Sequence, residues 1–227
     1  MGIIVGLGGG RFDNGEMEDV AKKIISLSQK ENPKLIFLPT ASFDNLSDND
    51  PVMAAFTDLG CKCEALLLTD ESLSFEDIDA KIMGADIIYA DGGNLRFLMD
   101  TLNKTGAAIS LKKAFEKGKV LSGLSSGMMC WFAEGYDDCD DGKFTFVDCL
   151  NLLPYSACPH FESGEWPLFE QKIKGRKYSG YAMENGAALM YVDGKSEAIY
   201  GNEGGYVYFF DKKQGHKKEI FGGIPMI

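Results

Sequence analysis

Short apolar strands alternate with amphipathic helices through the first half of the chain, and this alternation most constrains the fold. Apolar runs predict strands at 3–7, 34–38, 63–68, 87–90 and 119–122. Helical spacing lies between them at 17–29, 51–59, 74–83 and 95–117, the last broken near Gly106. The strands lack polar alternation, so both of their faces are expected to be buried. The pattern predicts a doubly wound α/β fold with a mostly parallel sheet and helices on both faces.

The last third of the chain has a different pattern. Residues 133–159 are acidic and irregular, and no regular element is predicted there. Short antiparallel strands are expected near the C-terminus, at 178–182, 187–192, 198–200 and 206–210. Asp193-Gly194 between two of them is a hairpin signal. Because no repeat or linker interrupts the sequence, residues 1–227 are predicted to form a single domain.

Charge and cysteine content exclude several classes of protein. With 23 basic and 34 acidic residues, the net charge is −11, which disfavours nucleic acid and membrane surfaces as partners. No apolar run reaches the roughly 18 residues of a membrane span, and no secretory signal is visible. The six cysteines form no C-x-x-C pair and only two histidines are present, so no metal site is expected. Reduced thiols in the cytoplasm are the expectation.

The strongest motif is Gly123-Leu124-Ser125-Ser126-Gly127, between a predicted strand and an apolar run over 128–132 that is expected to be helical. A G-x-S-x-G pattern in a strand–turn–helix context is typical of a nucleophile elbow. The glycines give room for a strained turn, so the Ser125 hydroxyl is expected to project above the sheet edge. The Ser126 N–H would then be an oxyanion donor. The alternative is a glycine-rich turn with an ordinary N-cap serine.

A serine nucleophile usually needs a histidine base, which is in turn oriented by a third group. His216 lies in the basic segment 212–218 and is expected to be a solvated surface residue. His160 follows Pro159, which stiffens the backbone before it, and is the candidate base. The carboxylate is expected within 134–141, a segment that the sequence places between the elbow and His160. Its candidates remain open at this point: Asp137, Asp138, Asp140 and Asp141.

Two further glycine turns follow predicted strands. Asp91-Gly92-Gly93-Asn94 lies at the edge where open α/β sheets bind ligands. We therefore expect the Gly93 N–H to complete an oxyanion hole with Ser126, and Asn94 to contact substrate. The turn at 6–11 fails the dinucleotide pattern because Arg11 stands where the third glycine is required. No cofactor is expected, and this turn is predicted to let loops pack at the same edge.

In combination, Gly92-Gly93-Asn94, Gly123-x-Ser125-Ser126-Gly127 and Pro159-His160-Phe161 resemble the peptidase E family of serine peptidases. Cyanophycinase belongs to the same class I glutamine amidotransferase-like superfamily. The resemblance covers roughly residues 1–210 and includes Gly8-Gly9-Gly10 and Leu38-Pro39-Thr40-Ala41. It implies that Ser125 is the nucleophile and His160 the base. It also implies an aspartate after the elbow, for which Asp138 is chosen and Asp140 is the alternative.

Peptidase E itself cleaves after an N-terminal Asp and reads it with basic residues beyond the histidine. Here residues 162–170 are acidic and apolar, and basic groups follow only at Lys172, Lys174 and Arg176. The sequence therefore predicts a cytoplasmic, dipeptidase-like serine exopeptidase that acts on dipeptides or short peptides, as a monomer or homodimer. The alternatives are a cyanophycinase-like or other acyl hydrolase, and a catalytically inactive binding homologue.

Overall fold

The structure is a computed structural model that describes residues 2–47, 50–140, 142–213 and 217–220, with only the backbone described for 140 and 217–220. Its strands, β1 to β13 in chain order, are Ile3–Leu7, Lys34–Leu38, Lys62–Ala65, Ile87–Ala90, Val120–Leu124, Phe132–Asp140, Lys143–Asp148, Leu153–Cys158, Gly180–Met183, Ala187–Val192, Lys195–Tyr200, Val207–Phe210 and Lys217–Ile220. Its α-helices, α1 to α7, are Glu18–Leu27, Pro51–Asp58, Phe75–Gly84, Leu95–Lys104, Ala107–Glu116, Ser126–Met129 and Phe169–Lys172.

The larger sheet has seven strands in the order β11-β10-β1-β5-β4-β2-β3. Its five strands from the first half of the chain are mutually parallel, whereas β10 and β11 are antiparallel additions. Asp193 and Gly194, both at positive φ, form the turn between β10 and β11, as the hairpin signal predicts. The mostly parallel α/β sheet with antiparallel strands near the C-terminus is thereby confirmed.

Helices cover both faces of the larger sheet. On one face, α1 and α2 bury Val20, Ile24 and Phe56 in a core with the strand residues Val5 and Phe37. On the other face, α3 to α6 pack in a second core. The predicted break in the helical stretch 95–117 is confirmed, because Gly106 separates α4 from α5 at a φ of 78°. Among the helices that the structure describes, none has the length and apolar character to cross a membrane.

A second sheet of six strands, in the order β13-β12-β9-β8-β6-β7, overturns the prediction that 133–159 is irregular. This segment contains β7, β8 and most of β6, and the helical run expected over 128–132 ends at Met129. Residues such as Glu134, Gly135 and Asp137 have low β-propensity, so the sequence hides the strand. Tertiary pairing forms it: β6 lies antiparallel to β7 and parallel to β8, with an irregularity between Asp137 and Asp140.

Candidate active site

Ser125 lies in a sharp turn between β5 and α6, with φ 53° and ψ −118°. A positive φ is unfavourable for a residue with a side chain and costs about 1–3 kcal/mol, so it persists only where surrounding contacts impose it. The Ser125 N–H donates to the Leu7 carbonyl at 3.1 Å. Gly123 and Gly127 are needed for close approach, since a β-carbon on either would lie within 2.6 Å of the Ala90 carbonyl oxygen. The strand–turn–helix geometry expected of the elbow is present.

His160 faces the elbow from the segment that follows β8. Its Nε2 lies 3.0 Å from Ser125 Oγ. The backbone at His160 also has a positive φ, 47°, and its N–H donates to the Gly8 carbonyl at 3.0 Å. The Trp166 ring packs edge-on to the imidazole, with centroids 5.6 Å apart. The structure thus brings together the serine and the histidine that the sequence selects, while His216 lies outside the described residues.

The group on the far side of the imidazole is Asn185, not an aspartate. Asn185 Oδ1 lies 2.7 Å from His160 Nδ1. Asn185 follows β9. Because β9 lies parallel to β8, the two strands end at the same edge of the sheet. The prediction from sequence did not include Asn185, because it was limited to carboxylates between the elbow and His160. An Asn-Gly pair between the predicted strands 178–182 and 187–192 was the available signal.

The expectation for Asp138 is corrected by this contact, because the position it was to occupy is held by Asn185. Asp138 is exposed on β6, and the neighbouring Asp137 is buried. Asp137 accepts the N–H groups of Leu95 at 3.3 Å and Asp138 at 2.9 Å, so it supports the start of α4. Burial raises the pKa of Asp137 to about 6. The side chain of Asp140 and all of Asp141 lie outside the described part of the chain.

Glu162 contacts Asn185 from the side opposite His160. Its carboxylate accepts the backbone N–H of Asn185, at 3.2 Å to Oε2 and 3.3 Å to Oε1. The side-chain Nδ2 of Asn185 also donates to Glu162 Oε1. The backbone N–H and the side-chain NH₂ of Asn185 therefore both donate to one carboxylate, while its side-chain oxygen faces the imidazole.

The glycine turn after β1 makes room for this arrangement. A β-carbon at Gly9 would lie 1.7 Å from Asn185 Oδ1 and 2.7 Å from His160 Nδ1. The Gly9 carbonyl also accepts the Gly186 N–H at 3.1 Å. The turn at 6–11 thus lets loops pack at the site, which was its predicted role.

The Gly92-Gly93 turn lies against the elbow. A β-carbon at Gly92 would lie 3.3 Å from Ser125 Cβ. Ser126 Oγ donates to the Gly93 carbonyl at 2.6 Å, which ties the two turns together. Ser126 is the first residue of α6, so its N–H is among those that a helix leaves without an internal partner. Asn94 instead caps α4 through the Phe97 N–H at 2.8 Å, and its Nδ2 donates to the Cys139 carbonyl at 3.4 Å.

Of the basic residues Lys172, Lys174 and Arg176 beyond the histidine, one is paired with a carboxylate and two are exposed. Arg176 pairs with the buried Glu134 at 2.5 Å and lies 4.0 Å over the Phe146 ring. Lys172 and Lys174 are exposed.

Asp91, directly before the glycine turn, is partly buried, and burial with the nearby Asp50 raises its pKa to about 6. Within the part of the chain that the structure describes, no three His, Cys, Asp or Glu side chains are grouped to hold a metal ion.

A strained serine on a parallel α/β sheet, hydrogen-bonded to a histidine, is the geometry of the serine hydrolases. The family model described as Peptidase family S51 matches residues 4–199. The chain therefore belongs to this family of serine peptidases, the peptidase E family, as the resemblance of its motifs indicates.

A relative in sequence agrees with this membership, and two solved structures share the fold. The uncharacterized peptidase YgaJ of Bacillus subtilis is 35% identical over 197 residues, which is 84% of this chain and 83% of that protein. A crystal structure of a peptidase from an acI-B1 Actinobacterium has a TM-score of 0.75 at 17% identity, covering 99% and 96% of the two chains. A putative peptidase E protein from Listeria monocytogenes has a TM-score of 0.68 at 22% identity, covering 88% and 98%.

Proposed function

We propose that this serine-type peptidase is an exopeptidase that hydrolyses dipeptides or short peptides through Ser125 and His160. The observation that carries the proposal is the 3.0 Å contact between His160 Nε2 and a Ser125 held at positive φ. Ser125 Oγ attacks the peptide carbonyl while His160 Nε2 accepts its proton. His160 then donates this proton to the leaving amine, and water hydrolyses the acyl-enzyme.

The oxyanion of the tetrahedral intermediate is proposed to lie between the N–H groups of Gly93 and Ser126. The first turn of α6 and the adjacent glycine turn support this assignment, because both lie beside the Ser125 side chain. Donors fixed in advance at the point where charge develops stabilise the transition state strongly. Asn185 takes the role expected of Asp138: its Oδ1 accepts Nδ1–H and leaves Nε2 free to accept the serine proton.

A strong preference for an N-terminal aspartate is not part of the proposal. Of Lys172, Lys174 and Arg176, Arg176 is paired with Glu134, and the two lysines are exposed. A cytoplasmic location is proposed on the free thiols of Cys61, Cys63, Cys130, Cys149 and Cys158. The proposed partner is a small peptide, bound by a monomer or homodimer. A cyanophycinase-like activity on an acidic polymer is disfavoured by the net charge of −11.

One observation favours the second candidate, a binding homologue with little catalysis. Asn185 is neutral, so the side chain that contacts Nδ1 brings no negative charge to the imidazolium formed during acyl transfer. A fluorophosphonate probe separates the two candidates, because only an activated serine reacts with it. We expect wild type to be labelled and Ser125→Ala to remain unlabelled. A panel of dipeptide amides that varies the first residue, with Asp included, then measures the preference.

A further inference from the structure

We propose that Glu162 is a positioning residue that fixes the tautomer of His160 through Asn185. The proposal deepens the proposed function, because the fixed tautomer is the one that the chemistry at Ser125 requires. The contacts form a single chain: Glu162 accepts from Asn185 Nδ2, Asn185 Oδ1 meets His160 Nδ1, and His160 Nε2 meets Ser125 Oγ.

The two ends of an asparagine amide differ in their hydrogen-bonding chemistry. Its oxygen accepts hydrogen bonds and its NH₂ donates them, and the two ends have nearly the same shape. If the oxygen faces His160 Nδ1, that nitrogen carries the proton and Nε2 can accept one from serine. If the NH₂ group faces Nδ1, the proton moves to Nε2 and the base is lost. An aspartate in this position has no such ambiguity, because both of its oxygens accept.

Glu162 removes the ambiguity because an ionised carboxylate only accepts. Its Oε1 takes the side-chain Nδ2 of Asn185, and Oε1 and Oε2 together take the backbone N–H of the same residue. The backbone contact holds the carboxylate at Asn185 whichever way the amide is turned. A flipped amide would place its oxygen against this carboxylate, so the contact between Asn185 Nδ2 and Glu162 would be lost and replaced by repulsion between two acceptors.

Orientation outweighs charge in this arrangement. Glu162 and Asn185 are both exposed, so water and salt screen the effect of the carboxylate charge on the imidazole. The orientation of the Asn185 amide is set by direct hydrogen bonds, so it depends less on screening by solvent than the charge effect does. The proposal therefore concerns the position of one proton on His160.

The direct test is the tautomer of His160, read from its imidazole nitrogen-15 chemical shifts at a pH where the ring is neutral. The chain has only two histidines, and the variant His216→Gln assigns the signals. We expect the Nδ1–H form in wild type and a mixture of the two tautomers in Glu162→Gln. Glu165→Gln is the matched control, because Glu165 is an exposed glutamate of the same segment. The proposal is overturned if His160 carries its proton on Nε2 in wild type, or if Glu162→Gln leaves the tautomer unchanged.

Glu162→Gln is also made in the variant Asn185→Asp, to distinguish a positioning role of Glu162 from a general structural role. A carboxylate at 185 needs no orienting partner, so Glu162→Gln should have no effect on the tautomer there. Glu162→Gln should also raise the activity of the Asn185→Asp variant, because it removes the repulsion between two adjacent carboxylates. In the wild-type background, we expect Glu162→Gln to lower kcat about tenfold with KM within about twofold. An equal loss of kcat in both backgrounds overturns the proposal.

The tautomer measurement does not depend on the proposed function. If wild type and Ser125→Ala are both inert toward the fluorophosphonate probe and the peptide panel, the proposed function fails, and the tautomer result still decides the role of Glu162. If wild type is active and Glu162→Gln changes neither tautomer nor kcat, only the inference about Glu162 fails.

Discussion

The space beside Gly9 is occupied by Asn185, since a β-carbon built on Gly9 would lie 1.7 Å from Asn185 Oδ1. Gly9→Ala should therefore displace the asparagine from His160 and lower kcat/KM by about 100-fold or more, because small misplacements at a reacting centre are costly. Peptide hydrolysis and probe labelling measure the loss, with circular dichroism as the check on folding. Gly84→Ala is the matched control, because its new β-carbon would meet no heavy atom within 4 Å apart from its chain neighbours and the backbone of its own helix. Activity within twofold of wild type in Gly9→Ala would contradict this account of the turn.

The nucleophile is tested by Ser125→Ala. Removal of the hydroxyl removes the covalent pathway, so kcat should fall by several orders of magnitude. The positive φ of residue 125 is imposed by its surroundings, and serine and alanine meet it with a β-carbon alike, so the free energy of unfolding should change little. Urea unfolding measures the second expectation. Hydrolysis within about tenfold of wild type would show that another residue is the nucleophile.

The base is tested by comparing the two histidines. His160→Gln removes the group 3.0 Å from Ser125 Oγ and should abolish both labelling and hydrolysis. His216→Gln should leave both unchanged, because its basic segment is expected to be solvated. Rates of probe labelling and kcat/KM are the measurements. Equal losses in the two variants would rule out the assignment of His160.

The third position is tested by comparing Asn185 with Asp138. Asn185→Leu removes the acceptor of Nδ1–H, so we expect kcat to fall by about 10²- to 10⁴-fold, by analogy with other triads. Asp138→Asn changes an exposed side chain and should alter kcat by less than about twofold and stability by less than about 0.5 kcal/mol. The reverse order of effects would restore the original assignment of Asp138.

Asp91 gives a pH dependence of stability. Burial and the nearby Asp50 raise its pKa to about 6 in the folded protein, against about 3.9 for an unfolded aspartate. The folded state thus favours the protonated form, so this contribution to stability is present below about pH 4 and is lost as the pH rises through about 6. Asp91→Asn, which is neutral at every pH, should raise the free energy of unfolding by about 1–3 kcal/mol at pH 8 and change it little at pH 4.

Urea unfolding of Asp91→Asn at the two pH values checks this sign. Asp138→Asn, in which an exposed carboxylate is removed, serves as the control and should show no such difference. Destabilisation of Asp91→Asn at pH 8 would mean that the carboxylate is stabilised by a partner in the folded state.

Local sequence was sufficient for much of the larger sheet. The strands at 3–7, 34–38 and 87–90 and the break at Gly106 follow from apolar runs and from a glycine at positive φ. The strands between 132 and 158 do not follow from local sequence, because Glu134, Gly135 and Asp137 have low β-propensity. Pairing of β6 with β7 and β8 overrides that preference.

The candidate site likewise contains residues that local sequence predicts and one residue that depends on tertiary contacts. Local sequence was enough to select Ser125, because an elbow is a local motif, and His160, because only two histidines exist and one lies in a basic segment. The third group of the candidate site, Asn185, became evident only in the folded chain. Asn185 reaches His160 because β8 and β9 lie side by side and end at one edge, and because Gly9, far away in the chain, has no side chain to fill the space. Such a contact depends on the pairing of distant strands, which no local pattern of residues records.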